Sequence, residues 1–423
     1  MSRNVVVWGW GRHGGGAAAV RFCLARGDAV VVLDREPRVA FNAPTDLSWL
    51  QGDGTHPGLR SADLIIASPA IPPRAIPADL AVPVLPPEAL FFAAHTAPVA
   101  AVTGTKGKST TAAILGALLG WPVGGNSYEP LLDLLAKHGP DVPVVAELSS
   151  FQLWHLRQVR PQVAVAVVTS LAVDHLDWHP HLAHYHDSKL ALTEWAGAVA
   201  AAPELHARLV GRPLLPLVTC SAGIFRDGTR ELARRTDLAV LGEHNARNAC
   251  LAIAAALHLG CPRAQVAPRL RTVRALPHRL QVVRDRDGLR GIDDSIATTP
   301  EAAMAGLLAV DGPVAVILGG SDKGADFTAL AAAVRERGAL PVVFGSTGPR
   351  ITVALAMVGV QPRQAGSLAE AVALAITALG GQGTVLLSPA CASFDMFRGF
   401  EDRGRQFQTL VQGWGLSGAT PGP

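Results

Sequence analysis

Val99-Ala-Ala-Val-Thr-Gly-Thr-Lys-Gly-Lys-Ser-Thr-Thr111 is the stretch whose reading decides the fold. A short apolar run ending at Thr103 reads as a buried strand, and the segment after it reads as a loop feeding a helix that begins near Lys108. Gly104 and Gly107 let the backbone curl so that successive N–H groups face phosphate oxygens, and the helix N-terminus adds its positive dipole end. Lys108 is then placed to lie along the β and γ phosphates, and the Ser109 hydroxyl to coordinate a magnesium ion that bridges them. A nucleoside triphosphate is therefore the first ligand the sequence suggests. The candidate loop is Gly104, Thr105, Lys106, Gly107, Lys108, Ser109 and Thr110. It is shorter than the common G-x-x-x-x-G-K-[ST] pattern, and the alternative is a glycine-rich turn that binds nothing.

At 423 residues the chain is too long for one ordinary core, which predicts two to three domains. Thirty-seven Lys and Arg against 34 Asp and Glu leave a formal charge of +3, and no basic run interleaves with aromatics, so no nucleic-acid partner is expected. The five cysteines form no C-x-x-C pair, which argues against a disulfide framework and a structural zinc site. No uncharged apolar stretch is long enough to cross a bilayer, and a strand signal begins almost at once with no leader before it. A cytoplasmic protein with no membrane insertion is the expectation.

Around the opening stretch, strand and helix signals alternate. Asn4 to Trp8, a helix from about Gly15 to Arg26, Ala29 to Leu33 ending at Asp34, and Ala62 to Ala67 predict a doubly wound parallel pattern. The Pro-rich segment from Pro69 to Pro87 interrupts it. Strands at Val142 to Glu147 and Val163 to Val168 continue the pattern, as does an Ala-rich helix over Asn245 to Leu259. After a break near Leu276 come strands at Val314 to Leu318, Pro341 to Phe344 and Thr384 to Leu387, with helices over Phe327 to Arg337 and Leu368 to Leu379. The expected architecture is three tandem α/β domains, over residues 1–95, 96–276 and 277–423: a Rossmann-like N-terminal domain, a central P-loop-type ATPase domain with a parallel sheet, and a C-terminal Rossmann-like domain.

Other clusters carry chemistry. Gly9-Trp-Gly-Arg-His-Gly14 follows a strand and Asp34 ends the next one, the spacing of a dinucleotide site, with another nucleotide or an empty glycine turn as alternatives. Glu147 ends a strand, so its carboxylate emerges at the carboxyl edge where the phosphate loop also lies; it is a candidate magnesium ligand or an ordinary helix-capping acid. The segment Asp174 to Lys189 gathers five of the fourteen histidines, of which His175 stands nearest the end of a strand.

Taken together, these pieces resemble the Mur ligases. Thr103–Thr110, Glu147–Leu153, Asp174–Asp177, the run around Lys189, Gly242–Asn245 with Asn248, Leu276–Arg279, Asp293–Ser295, Gly319–Phe327 and Ser388–Phe397 occur in that family's order. The resemblance, strongest to the branch that adds D-glutamate, covers about residues 4–410. It implies an ATP-dependent ligase of peptidoglycan precursor synthesis that joins glutamate to UDP-N-acetylmuramoyl-L-alanine through an acyl phosphate, with ATP and two magnesium ions, acting as a monomer. It displaces the dinucleotide reading, because the family's N-terminal domain holds the uridine end of the substrate; Gly11, Arg12, Asp34, Arg35 and Ser68 become candidates for that role.

The resemblance also assigns Lys108, His175 and Lys189 as catalytic and Ser109, Glu147, His175 and Lys189 to the metals, Lys189 as a carbamate. Asn245, Asn248, Arg279 and Asp294 are assigned to ATP at a seam between the central and C-terminal domains, Asn126 to the substrate phosphates, and Thr298, Lys323, Ser393 and Phe400 to glutamate. The chain departs from the pattern in three places. Ile296-Ala-Thr-Thr299 stands where many D-glutamate-adding members have Lys-Ala-Thr-Asn, Ser127-Tyr128 replaces Ile-Gly, and Ser170 replaces Asn. The first removes a cation near the glutamate pocket and leaves L-glutamate, or a related folate polyglutamate-type reaction, as the alternative.

Overall fold

The strand Val99–Thr103 is buried along its whole length because it sits in the middle of a five-stranded parallel sheet. Its neighbours are Val163–Val168 on one side and Val144–Glu147 on the other, with Ala196–Ala201 and Val123–Gly125 at the edges. Strands covered on both faces must be apolar on both faces, which explains the unbroken Val and Ala runs. The register pairs Val102 with Glu147 and Thr103 with Val168. The phosphate loop, Glu147 and the turn after Val168 therefore leave the sheet side by side at one edge.

The computed structural model describes residues 2–11, 14–322 and 324–414. Their contacts form two compact units, Met1–Asp237 with Ala246–Thr272, and Leu238–Asn245 with Val273–Pro423. The first unit holds the sheet just described and a second five-stranded parallel sheet in the order Ser48–Gln51, Ala29–Asp34, Asn4–Trp8, Leu64–Ala67, Val84–Leu85. The two sheets share one apolar core. Val5, Val7 and Val32 from the N-terminal sheet join Ala101, Ala146 and Val168 from the central one through Ala19 and Cys23 of the helix Gly15–Ala25, Phe91 of Pro87–Ala94, and Leu131 and Leu134 of Leu131–His138.

Beyond the alternating pattern, residues 218–234 form a small antiparallel meander, Val218–Ser221, Ile224–Asp227 and Arg230–Arg234. Its turns are local: Ala222 and Gly223 both take positive φ, as a two-residue hairpin loop requires, and Gly228 does so at the next turn.

The second unit is built on a six-stranded sheet ordered Gln281–Arg286, Leu289–Asp293, Gly383–Leu387, Val314–Gly319, Leu340–Phe344, Arg363–Gln364. All pairings are parallel except the hairpin between the first two strands. Asp287 and Gly288 make that hairpin's turn with φ of 56° and 76°. The closing helix Phe400–Gly413 buries Arg403, Gly404, Phe407 and Val411, one stripe of its surface.

In the N-terminal helix, Gly16 has no room for a side chain: a Cβ there would lie 2.4 Å from the carbonyl oxygens of both Gly9 and Trp10. Gly16→Ala is expected to destabilise the protein by about 1–3 kcal/mol through forced displacement of the Gly9–Gly11 turn. Urea unfolding checks this, and a wild-type midpoint would contradict the close approach.

Candidate active site

The phosphate loop takes its shape from glycine. Gly104 adopts φ of 145° and Gly107 caps the helix Lys108–Leu119 at φ of 89°. A Cβ at Gly104 would lie 2.0 Å from Thr169 Oγ1, and one at Gly107 would lie 2.5 Å from Asn248 Oδ1. Thr169 and the residues after it hold the loop. Thr169 Oγ1 donates to the carbonyls of Thr103 (3.2 Å) and Lys106 (2.6 Å), Ser170 O accepts from Thr105 N at 2.7 Å, and Ser170 Oγ accepts from Lys106 N at 3.0 Å. Thr105 Oγ1 accepts from Ala172 N and from the buried Tyr185 hydroxyl, each at 3.0 Å. Ser109 and Thr110 are buried at the helix start.

Three ionisable groups converge there. Lys108 Nζ donates to the carbonyls of Gly104 and Thr105 at 3.0 Å each, and Lys189 Nζ donates to the same Gly104 oxygen at 2.8 Å. Lys189 is almost wholly buried over the Tyr185 ring; burial first, and Lys108 second, push its ammonium down to about 6. Near neutral pH it is largely an amine. Glu147 is fully buried. Its Oε1 accepts from Asn126 Nδ2 (2.8 Å) and Ser127 Oγ (3.0 Å), while Oε2 is buried with no hydrogen-bond partner. Tyr128 completes the pattern by donating to Ser109 O at 2.6 Å.

His175 takes a left-handed φ of 52° and rests edge-on against Phe151. Burial, opposed by Asp174, lowers its imidazole below the ordinary value. Burial alone would raise Asp174, but His175 and Lys106 outweigh it and hold the carboxyl down. The loop is anchored from outside its own sheet: Arg74 donates to Asp177 O at 2.9 Å and Trp178 Nε1 to Ala70 O at 3.1 Å. The Pro-rich segment thus supports the histidine loop. His179 donates to or accepts from both His184 Nδ1 (2.8 Å) and Ser150 Oγ (2.9 Å), and burial drives it down to about 3. That pair is structural. Among the described residues no three His, Cys, Asp or Glu side chains gather as a metal site.

In the N-terminal sheet, Gly9 and Gly11 take positive φ, and Asp34 is committed to the turn: Oδ2 accepts from Trp10 N at 2.8 Å and Oδ1 from Glu36 N at 3.0 Å. Ser68 Oγ lies beneath Gly11, and Arg35 is exposed. Trp10, Trp49 and Phe41 form an aromatic shelf beside this turn, with centroids 5.9 and 6.0 Å apart. Arg12 lies outside the described residues.

In the second unit, Asp294 is pinned between Leu280 N (3.1 Å) and Ser388 Oγ (2.7 Å), and burial lifts its carboxyl to about 7. Asn245 donates to Leu241 O at 2.6 Å. Arg279 is partly buried, with its Nε making no hydrogen bond. Thr298 is partly exposed and Ser393 buried, both on loops after strands of the sheet, and Phe400 is partly exposed at the start of the closing helix. Lys323 lies outside the described residues.

Sequence reasoning gave Ser127 and Tyr128 only as departures from the family pattern, with no role, and missed Tyr185 and Arg403. Tyr185 had a signal, four residues before Lys189 on one helical face. Arg403 had none, since a lone arginine on an amphipathic helix reads as surface.

The family description "Mur ligase middle domain" matches residues 102–202, and "Mur ligase, glutamate ligase domain" matches residues 278–391. The chain is 34% identical to a UDP-N-acetylmuramoylalanine–D-glutamate ligase of Pelotomaculum thermopropionicum, covering 97% of both chains. It is also 34% identical to a UDP-N-acetylmuramoyl-L-alanine–L-glutamate ligase of Xanthomonas campestris pv. campestris, over 97% of this chain and 95% of that one. Among solved structures, the UDP-N-acetylmuramate–alanine ligase MurC of Thermotoga maritima has the same fold, with a TM-score of 0.60 at 21% identity over 97% of this chain and 99% of that one. A MurF ligase of Thermotoga maritima in complex with ADP matches at a TM-score of 0.59 and 16% identity, over 97% and 96%. The tandem three-domain α/β architecture is shared.

The Lys189 environment sets a pH dependence. The unfolded lysine keeps its proton to about 10.4, whereas the folded one sheds it near 6, so between these values the unfolded state binds more protons and stability rises with pH. Wild type is therefore expected to gain stability relative to Lys189→Met from pH 6 to pH 9. Parallel denaturation series at both ends of that range measure it; curves with a constant gap would contradict the buried neutral amine.

Proposed function

The chain belongs to the Mur ligase family, and on that premise we propose that it uses ATP to add D-glutamate to UDP-N-acetylmuramoyl-L-alanine in peptidoglycan precursor synthesis. The observation that supports this most directly is the unpartnered Glu147 Oε2, fully buried beside the phosphate loop. A buried carboxylate oxygen with no partner is costly unless a cation is its proper ligand. Ser109, at the start of the loop's helix, and His175, with a lowered imidazole, are the other groups that would hold magnesium there. Magnesium there would neutralise phosphate charge and polarise the transferred phosphoryl group.

The reaction begins with transfer of the γ-phosphoryl group of ATP to the alanyl carboxylate, giving an acyl phosphate and ADP. The glutamate amine attacks that carbonyl carbon, a tetrahedral intermediate forms, and its collapse makes the amide bond and expels inorganic phosphate. Both steps crowd anions, so the chain's work is electrostatic and positional. Lys108 swings from the Gly104 and Thr105 carbonyls to the phosphates, and the helix N-terminus supplies N–H donors. Asn126 and Ser127 hold Glu147 in one orientation. In the N-terminal sheet, the turn formed by Gly11, Asp34 and Ser68, with Arg12 and Arg35, receives the uridine end of the substrate. Asn245, Asn248, Arg279 and Asp294 serve ATP, and Thr298, Lys323, Ser393 and Phe400 serve glutamate. The protein acts as a cytoplasmic monomer.

Lys189 suits a further step. Its neutral amine attacks carbon dioxide, forming an N–C bond and releasing one proton, so that a buried base becomes a carbamate anion able to bind the second magnesium ion. Protein equilibrated with 13C-bicarbonate is expected to show a carbamate carbon that Lys189→Met lacks; its absence from wild type would remove the carbamate.

Phosphate release from ATP with UDP-N-acetylmuramoyl-L-alanine should require D-glutamate. Equal or greater stimulation by L-glutamate would transfer the assignment to the L-specific relatives. Lys108→Ala should cut kcat/KM at least about 100-fold with the fold intact by circular dichroism, and near-native turnover would contradict its phosphate role.

A further inference from the structure

The sheet of the second unit reverses its strand order beside Val314–Gly319. From Leu289–Asp293 the chain passes to Val314–Gly319, builds outward through Leu340–Phe344 and Arg363–Gln364, and then returns to place Gly383–Leu387 between the first two. In open parallel sheets, ligands bind outside the carboxyl ends of the strands at such a reversal. Three loops meet there, after Asp293, Gly319 and Leu387, and one side chain fastens all three. Arg403 Nε donates to Ser295 Oγ (3.0 Å), Nη2 to Ser295 O (2.8 Å) and Cys391 O (3.1 Å), and Nη1 to Cys391 O (3.1 Å), Ala392 O (3.4 Å) and Gly319 O (3.5 Å).

Arg403 is 0% exposed, and no carboxylate among the described residues lies within ion-pairing distance of it. Every acceptor it uses is neutral. Burial lowers its pKa to about 10, which still leaves it charged at neutral pH. Asp395 and Asp293 favour its charge only from beyond contact distance, so the cation is buried without a directly paired anion, and a loop clamp alone does not need a charge, because neutral donors could serve. The charge also acts at a distance where water is excluded. The backbone adds to it. All described peptides are trans, so the N–H of each points opposite its own carbonyl. Drawing the Cys391 and Ala392 carbonyls toward Arg403 turns the N–H groups of Ala392 and Ser393 the other way, and successive N–H groups of this kind make an anion cradle.

We propose that Arg403 is the positioning residue for the incoming amino acid: it locks the three loops of the crevice, aims the Ala392 and Ser393 N–H groups, and leaves a buried positive charge that selects an anionic side chain. This rests on the ligase reading above and extends it to the choice of acceptor.

Steady-state phosphate release with Arg403→Lys, Arg403→Met and Ser295→Ala tests it. Arg403→Met should raise KM for glutamate at least tenfold, leave KM for ATP and for the UDP-sugar within twofold, and narrow the preference for glutamate over glutamine. Arg403→Lys, which keeps the charge without the fork, should recover part of both. If thermal stability falls while the glutamate KM and the glutamine discrimination stay at wild-type values, or if all three KM values rise together, the clamp is only structural and the proposal is overturned. Should Arg403→Met fail to fold, Ser295→Ala decides, with a two- to fivefold rise in glutamate KM expected and none overturning it. Wild type lacking any glutamate-dependent phosphate release would instead overturn the ligase reading and this inference with it.

Discussion

Two ammonium groups cannot share one carbonyl oxygen in a dry site and both remain charged. Lys108 and Lys189 meet at Gly104 O, 3.0 and 2.8 Å away, and the conflict is eased at Lys189, where burial first and Lys108 second push the ammonium down to about 6. The rest of the central sheet's carboxyl edge follows from this separation of roles. The loop must hold Gly104 O in place, which is why Thr169, Ser170, Ala172 and Tyr185 all hydrogen-bond to its neighbours. Glu147 must sit close enough to balance the lysines and yet keep one oxygen unspent, and Asn126 and Ser127 arrange that by occupying only Oε1.

Such an edge needs a stiff support. The neighbouring strands Val144–Glu147 and Val163–Val168 deliver Glu147 and Thr169 in register with the loop strand, so their spacing is fixed by the sheet rather than by side-chain rotamers. The histidine loop has no strand of its own. It is held by Arg74 and Ala70 from the segment after the N-terminal sheet, and the core shared by the two sheets keeps that segment at its post. The N-terminal sheet therefore supports the central site mechanically as well as carrying a glycine turn of its own.

Much of this was legible in the sequence where one local rule acts alone. The parallel strands announced themselves as unbroken Val and Ala runs, the loop as Gly104 and Gly107, and Glu147 as an acid ending a strand, because burial on both faces and left-handed glycines leave direct traces in residue type. Two classes of feature were not read. The meander over 218–234 has half-exposed strands with mixed residues, so its trace lies in the turns, Ala222-Gly223 and Asp227-Gly228, rather than in the strands. Long-range pairings left no trace. Nothing near residue 403 predicts that its guanidinium meets residues 295 and 319, and nothing near Ser127 predicts Glu147; each contact depends on sheet order, which a local pattern does not encode.

The two units bury a basic nitrogen at comparable places, and the choice of residue is chemical. At the central edge a lysine suffices because its amine can release a proton when desolvated, leaving a lone pair and no uncompensated charge. An arginine there would stay cationic and set two positive charges against one carbonyl. Beneath the second unit's loops the requirement is reversed. Three loops need several donors fanned from one point, and the planar guanidinium offers five N–H groups in fixed directions without losing its charge. A lysine would reach only one or two of those carbonyls from a single ammonium, without the fork. The first site thus gains a reactive amine and the second a permanent cation, and exchanging the two residues would cost each edge the property on which its chemistry depends.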